Sequence, residues 1–518
     1  MATTLESYVR SADRTGATSD TAKCYNGCSG RGACSHGLCK CQDESNRGWD
    51  CASNPPAHSD TGFIYVYDVD PSLGYTKYLD LPGGGDSNYL AEVSFLDRLM
   101  SDWSVRTLDP AKAKLFYTPT FTYYHVNNVC AGPNCLDLPA MRRTASEFWG
   151  KSPDAPNGED HVYFFVGDKG ACGMPQGPIY LTHWGLMTTW ECMGREWTPE
   201  CDAIHQRALS SSTATRDLRT NAVVSAQAAL GALVAGWHTN ATSKNASAGS
   251  SANASATIVT IVTKVNGTAT DDNATAVNAT TAKADDRILA LGEDEAWQAG
   301  LCADNRSIIV PSYGTSAPRA DIVLGIRARA DANEQSGTWP YQLSFAGGIG
   351  GASNANYDSS KDSCDGRGGC YSQGVRQKVH KLYADHEGFL ISAGHQDDAV
   401  MFGDARFCLA PSGDGFGVRL YKAIIIAGCV PLIIQPNVRQ AFDELLRYDD
   451  FSLSATYGDI QHLPSILAAV TPEKHKAMRK AMLANAHAFT FAESEHGGDA
   501  YDYLVKSLRM RAGIPVVA

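Results

Sequence analysis

No stretch of about 18 consecutive apolar residues, the length that carries a helix across a bilayer, occurs in the 518 residues. The nearest approach, "AIIIAGCVPLII" at 423–434, is broken by Gly428 and Pro431. The N-terminus "MATTLESYVRSADRTGATSDTAK" lacks the apolar core of roughly 7 to 15 residues that a secretory signal needs. Runs of Lys and Arg are missing too. With 44 basic against 56 acidic residues the net charge is −12, which excludes a nucleic-acid backbone as a partner. Repeats of about 20 to 50 residues are absent, which excludes a solenoid or propeller.

Cysteine, by contrast, is abundant. Of 16, six fall within residues 24–51: Cys24, Cys28, Cys34, Cys39, Cys41 and Cys51. Such density implies disulfides or a metal. Paired Cys-x2-Cys knuckles are absent, which disfavours structural zinc. The spacing, with "CSGRGAC" at its centre, resembles an EGF-like module, too small to fold on an apolar core and stapled by three bridges. Such a module implies an oxidising compartment and offers a surface for a protein partner. Seven Asn-x-Ser/Thr sequons, at Asn240, Asn245, Asn253, Asn266, Asn273, Asn278 and Asn305, point to the secretory route as well. A signal or membrane anchor is therefore expected outside this sequence.

At roughly 150 residues per domain the chain is too long for one core. After a tail (1–23), the EGF-like module (24–53) and a Pro-containing linker, short apolar runs alternate with amphipathic segments. "FIYVYDV" (63–69), "AKLFYTP" (113–119) and "HVYFFVG" (161–167) read as strands, with helices over 89–100 and 139–149. This pattern predicts a first α/β domain over 63–311. About residues 208–284 interrupt it: more than half are Ala, Ser or Thr and six sequons lie there, so this stretch is expected to be a glycosylated surface insertion containing one strand-like run, 257–265. A second series, 307–311, 342–347, a helix near 375–386, 389–392, 406–411, a helix and 429–434, predicts a second α/β domain over 312–490. Helices near 459–470, 473–489 and 499–510 close the chain, the last in a C-terminal segment, 491–518. Two Rossmann-like domains in tandem would set the carboxyl ends of two sheets across a cleft.

"FCLAPSGDGFGVRLYKAIIIAGCVPLII" (407–434) reads as strand, glycine turn, helix and strand. Ser412, Gly413, Gly415 and Gly417 form the turn, Arg419 lies in the helix's first turn and Lys422 follows one turn on. No Gly-Lys-Ser/Thr follows, so this is no P-loop, and the spacing is not the dinucleotide fingerprint. Free backbone amides, a guanidinium fork and an ammonium suit a departing diphosphate; a tight turn packing helix on strand is the bland alternative. Cys408 and Cys429 flank the turn, and a disulfide between them would pin it.

This stretch resembles the signature of the exostosin family of inverting glycosyltransferases: Cys-Leu-x-Pro-x-Gly, an Arg, then Ala-Gly-Cys-Ile/Val-Pro-Val. Further pieces follow in family order: "IYVYDV" (64–69), "VRTLDPAKAKLFYTPTF" (105–121), "EDHVYFFVGDKGAC" (159–172), "LSFAG" (343–347), "GVRQKV" (374–379) and "FDELLRYDDFSLSA" (442–455). The resemblance spans about residues 63–490 without the insertion. It implies a GT-B fold, a UDP-sugar held by the C-terminal domain, a glycan or glycoprotein acceptor shaped by the N-terminal domain, no metal or other cofactor, and residence in the Golgi lumen or outside the cell. "DVD" (68–70) imitates a metal-binding Asp-x-Asp but ends the first strand. Many family members carry Glu or Asp where Lys422 stands here.

Inverting transfer needs a base for the acceptor hydroxyl. Asp168, at a strand's carboxyl end and matching the family's His-Asp-x-Gly aspartate, is the first candidate; His161, at the amino end of that strand, and His183, in "LTHWG", are the others. Arg376, opening a helix, is expected to meet the diphosphate opposite Arg419. The rival reading is a non-catalytic secreted or cell-wall adhesion protein built on a degenerate transferase fold.

Overall fold

The computed structural model describes residues 24–35, 38–42, 50–52, 61–67, 89–119, 158–167, 170–172, 174, 177–187, 302–313, 320–349, 357–358, 363–364, 371–413, 417–491 and 498–516. All belong to the unit made of Met1–His205 with Leu291–Ala518. The tail 1–23, the helix predicted at 139–149, the Ala/Ser/Thr-rich insertion with its six sequons, and the residues Asp68, Asp70, Asp168 and Gly415 lie outside the described residues. Asn305, the remaining sequon, is exposed.

The cysteine-rich module contains a short antiparallel pair, β1 (Gly32–Ser35) and β2 (Leu38–Cys41). Its bridges join Cys24 to Cys34, Cys28 to Cys39 and Cys41 to Cys51, so the cysteines pair first to third, second to fourth and fifth to sixth. Its buried centre is the sulfur cluster of Cys24, Cys28 and Cys51, as expected where a chain is too short to bury an apolar core. The module is bolted to the next domain. Arg106 Nη1 and Nη2 donate to the two oxygens of Asp50 at 2.6 and 2.9 Å, and Asn26 Nδ2 donates to Asp50 at 2.7 Å and to the Met100 carbonyl at 2.9 Å. Burial alone would push the Asp50 carboxyl up; the hydrogen bonds and charge of Arg106 and the Asn26 amide outweigh it and hold it below its ordinary range.

The first α/β domain has six parallel strands in the order β4-β3-β5-β6-β7-β8: β3 (Ile64–Val66), β4 (Arg106–Thr107), β5 (Leu115–Thr118), β6 (His161–Phe165), β7 (Ile179–Thr182) and β8 (Ile308–Ile309). All five residues of β6 are buried, and Val162 to Phe165 make the unbroken hydrophobic run expected of a parallel sheet covered on both faces. Helix α1 (Ala91–Ser101) buries Ala91, Phe95, Leu96, Leu99 and Met100, a stripe of helical period. Phe95 meets Tyr117 and Phe164 of the sheet edge-on at 5.3 and 6.1 Å. Cys172–Cys302 bridges two segments far apart in sequence, a pairing the spacing of the cysteines did not disclose.

The second domain has five parallel strands in the order β12-β9-β13-β14-β15: β9 (Tyr341–Gly347), β12 (Phe389–Ala393), β13 (Ala405–Pro411), β14 (Val430–Ile434) and β15 (Leu453–Ser454); a separate antiparallel pair, β10 (Tyr357–Asp358) with β11 (Ser363–Cys364), lies between β9 and β12 in the chain. Alternation sorts the side chains. Leu343, Phe345, Phe407, Leu409, Val430 and Leu432 join the core on one face, whereas Ala346, Cys408 and Cys429 join that on the other. Helix α2 (Ala320–Ser336) covers the second face through Val323, Ile326 and Ala330. The sequence reading placed no helix there, because so narrow a stripe leaves Ile322 and Leu324 exposed and blurs the period. Helices α3 (Val375–Tyr383) and α4 (Val418–Ile426) follow, then α5 (Leu463–Ala468) and α6 (Pro472–Asn485), the last capped by Thr471, whose side chain accepts from Lys474 N.

Helix α7 (Ala500–Arg511) leaves the second domain and packs on the first. Arg98 of α1 pairs with Asp499 at 2.5 Å and lies 4.1 Å over the Tyr501 ring, and Tyr501 Oη donates to Asp102 at 3.0 Å. The strand-to-helix segment after β14 also crosses over: Arg439 N donates to Gly185 O at 2.7 Å and Phe442 N to Ile309 O at 3.0 Å.

Candidate active site

The carboxyl ends of the two sheets border one cavity of about 690 Å³. His183 and Ser312 line it from the first domain; Gly347, Arg376, Gly413 and Arg419 line it from the second.

On the second-domain side, β13, the turn from Ser412, α4 and β14 make a parallel strand–turn–helix–strand unit, with Phe407 opposite Val430 and Pro411 opposite Ile434. The Cys408–Cys429 disulfide joins the two strands just below the turn. Gly417 precedes the helix because a Cβ there would sit 2.0 Å from the buried Tyr421 ring. The i to i−4 bond at the start of α4 runs from Tyr421 N to Gly417 O, and the amides ahead of Tyr421 have no such partner among the described residues, which suits an anion beside the positive end of the helix dipole.

Arg419 projects from this first turn onto the end of β9. Its guanidinium lies 4.9 Å over the Phe345 ring, in space that a Cβ on Gly347 would occupy. Among the described residues no carboxylate or carbonyl is bonded to it. Burial, then the neighbouring Arg376 charge, lower its pKa to about 10, which leaves it protonated at neutral pH in a setting that favours an added anion.

Arg376 is 5% exposed, a buried group rather than a surface charge on its helix. Its Nη1 donates to Gly348 O at 3.0 Å and its Nη2 to Ser412 O at 2.9 Å, and Tyr371 lies beneath it at 4.7 Å. It therefore clamps the glycine turn to the end of β9 while adding positive potential. Ser412 points inward: its Oγ donates to Gln373 Oε1 at 3.2 Å and its carbonyl also accepts from Ser372 Oγ. Ser372, Gln373 and Gly374 all have positive φ (59°, 55° and 77°), a run of left-handed backbone that non-glycine residues adopt at a cost of about 1–3 kcal/mol each and that here presents Ser372 and Gln373 to the turn. Lys422 Nζ is paired with Asp398 at 2.9 Å at the cavity wall, so its charge is offset by a carboxylate from the loop after β12.

On the first-domain side, His183 follows β7 and is 6% exposed. Its Nδ1 faces the Val310 carbonyl at 2.8 Å and must carry the proton there, since a carbonyl only accepts. Burial depresses its pKa to about 4. His161 occupies a different place. It starts β6, at the strand end away from the cavity; its Nδ1–H donates to Asp160 at 2.7 Å, its Nε2 accepts from Tyr67 at 3.2 Å, and it is 1% exposed. With both ring nitrogens engaged outside the cavity, it does not fit the role of base.

The structure thus brings Arg376, Gly413, Gly417, Arg419, Lys422 and His183 around one space. The sequence reading missed Ser312, Gly347, Asp398 and Tyr371. Gly347 and Ser312 were signalled in part, since Gly347 ends one predicted parallel strand and Ser312 stands just past another.

Residues 301–470 match the family model of the Exostosin GT47 domain. Over this stretch, about a third of its length, the chain is similar to that family. The stretch takes in all of the second-domain cavity wall and ends before α6; His183 lies outside it. Curated proteins similar to this chain include a probable beta-1,4-xylosyltransferase IRX10L of Arabidopsis thaliana, 31% identical over 151 residues, 28% of this chain and 35% of that one. A probable glucuronosyltransferase Os01g0926400 of Oryza sativa subsp. japonica is 29% identical over 157 residues, 29% of this chain and 36% of that one. A probable glycosyltransferase At3g07620 of Arabidopsis thaliana is 24% identical over 115 residues, 22% of this chain and 24% of that one. The chain spans about a third or less of the length of these relatives.

Proposed function

We propose that the chain is an inverting glycosyltransferase that moves a sugar from a UDP-sugar to a glycan or glycoprotein acceptor. The observation that carries this reading is Arg419: a half-buried guanidinium at a helix N-terminus, bonded to no carboxylate or carbonyl among the described residues, facing a cavity between two parallel sheets. The β-phosphate of a diphosphate leaving group gains one negative charge there as its bond to the sugar breaks. Preorganised donors aimed at developing charge supply the largest share of catalysis in such sites. Arg376 keeps the turn at a fixed distance from Arg419, so little reorganisation is needed when the charge arrives.

In this reading the work of neutralisation falls to Arg419 and the α4 amides, so no metal ion is required, and EDTA should leave the rate of donor hydrolysis unchanged. The chain works in the secretory lumen, where its five described disulfides persist. No helix among the described residues is long and apolar enough to cross a membrane. The EGF-like module serves as a fixed part of the first domain rather than a tethered adhesion module, because its Asp50 is sealed against Arg106. The names of the relatives make UDP-xylose and UDP-glucuronic acid the first donors to try.

The test is slow donor hydrolysis by the full chain across a panel of UDP-xylose, UDP-glucuronic acid, UDP-glucose and UDP-galactose. The reading expects release of UDP from one donor above the others. Release from none of a wider set of UDP-sugars, with UDP itself failing to bind, would favour the non-catalytic adhesion reading.

A further inference from the structure

We infer that His183 and Ser312 form the acceptor-hydroxyl site: His183 Nε2 takes the proton of the attacking hydroxyl, and Ser312 Oγ holds that hydroxyl in line. The inference rests on the transferase reading above and names the groups that complete it from the first domain. Two atoms carry it. His183 Nε2 and Ser312 Oγ are both buried, both belong to residues lining the cavity, and neither has a hydrogen-bond partner among the described residues. An unpartnered buried polar atom costs about 1–3 kcal/mol, so two on one wall mark a place built for a polar ligand.

The backbone fixes both. Strands β7 and β8 are parallel neighbours, with Thr182 opposite Ile309, and Val310 N donates to Thr182 O at 2.9 Å. His183 and Ser312 therefore leave the carboxyl ends of adjacent strands. The Val310 carbonyl accepts from Nδ1–H, which forces Nε2 to be the lone-pair nitrogen and holds the ring edge-on to Phe164 at 6.2 Å. The other two buried histidines among the described residues are used up: His161 as described, and His475 with Nε2 at the Arg406 carbonyl (2.8 Å) and Nδ1 beside Glu334. His183 stays neutral well below neutral pH because it is buried, so the base form is the resident one.

The step balances. The acceptor O–H gives its proton to Nε2, its oxygen bonds to the anomeric carbon, and the bond from that carbon to the β-phosphate oxygen breaks with its electron pair leaving on UDP. The imidazolium formed keeps its Nδ1–H bond to Val310 and afterwards loses the Nε2 proton to water. Arg419, across the cavity, stabilises the departing charge; the base and the cation work on opposite partners of one displacement.

The experiment uses the full chain and whichever UDP-sugar the wild type hydrolyses, with water as acceptor. His183→Ala should lower the rate about 100-fold or more while UDP affinity, measured by calorimetry, stays within about twofold, and added imidazole should recover part of the loss. Ser312→Ala should lower it a few-fold, the size of one neutral hydrogen bond. His183→Asn, whose amide can still donate toward Val310, covers the case in which the alanine variant does not fold, and should be as slow. A rate within threefold of wild type in either His183 variant overturns the assignment, as does a loss of rate that tracks a loss of UDP binding without imidazole rescue. A wild type that hydrolyses no UDP-sugar overturns the transferase reading itself, and this assignment with it.

Discussion

Arg419 owes its position to the missing side chain at Gly347. A Cβ on that glycine would fall 2.2 Å from Arg419 Nη2, but the obstructed atom is the far end of a flexible chain and can swing aside. Gly347→Ala should therefore keep the melting temperature within a few degrees and still weaken UDP binding by about tenfold or more, because the guanidinium leaves the cavity floor. Unchanged affinity in the folded variant would mean that Arg419 does not meet the diphosphate. Buried histidines set a pH dependence, His183 and His475 most strongly, with His487 lowered in the same direction. His183 and His475 are both depressed to about 4 by burial, against 6.5 in an open chain. Between those values the unfolded chain binds protons that the fold refuses, so stability falls as pH drops from about 6.5 to about 4 and levels off below. Melting curves across that window should show the decline, and His183→Gln/His475→Gln should make it shallower; an equally steep slope in the double variant would contradict the assignment. Little of this was readable beforehand. The residue type and spacing marked Arg419 and the glycine turn, whereas the state of His183 depends on a carbonyl 127 residues away.

At the scale of elements, the parallel strands that carry the site were legible because each is a short apolar run bounded by polar or glycine-rich segments: 161–167, 342–347, 406–411 and 429–434 all correspond to strands. Elements with weak periodicity were not. Helix α2 has a stripe of three buried residues, β4 and β8 have two residues each, and the cross-domain pairing of Arg439 with Gly185 is invisible to any local pattern. The docking of the cysteine-rich module belongs to this second class. Asp50 and Arg106 are 0% and 2% exposed and bonded through both oxygens, so removing one partner strands the other without water. Arg106→Ala should cost about 3–5 kcal/mol in denaturant unfolding. The paired substitution Asp50→Asn/Arg106→Leu should recover much of it, since no charge is then left buried. A loss below about 1 kcal/mol for Arg106→Ala would show the module to be loosely attached.

At the scale of the molecule, two parallel sheets present their carboxyl ends to a shared cavity, held in that relation by the 435–446 crossing and by α7. Arg511 of α7 pairs with Glu444 at 2.5 Å and donates to the Arg306 carbonyl at 3.0 Å, so the last helix ties the crossing segment to the first sheet. The sequence placed a closing helix near 499–510; that it returns to the first domain is a matter of long-range packing by Tyr501 and Arg98, which no window of sequence contains. In the proposed function the second domain is the anion-binding half, and the first domain brings the polar atoms of His183 and Ser312 that have no partner among the described residues. Calorimetric titration of UDP into the full chain, wild type beside Arg419→Ala, tests that division most directly. The account predicts saturable binding by the wild type, weakened in the variant by about 2–4 kcal/mol if the guanidinium carries the charge of the departing diphosphate; no heat at millimolar UDP from the wild type, or equal affinity in the two proteins, would contradict it.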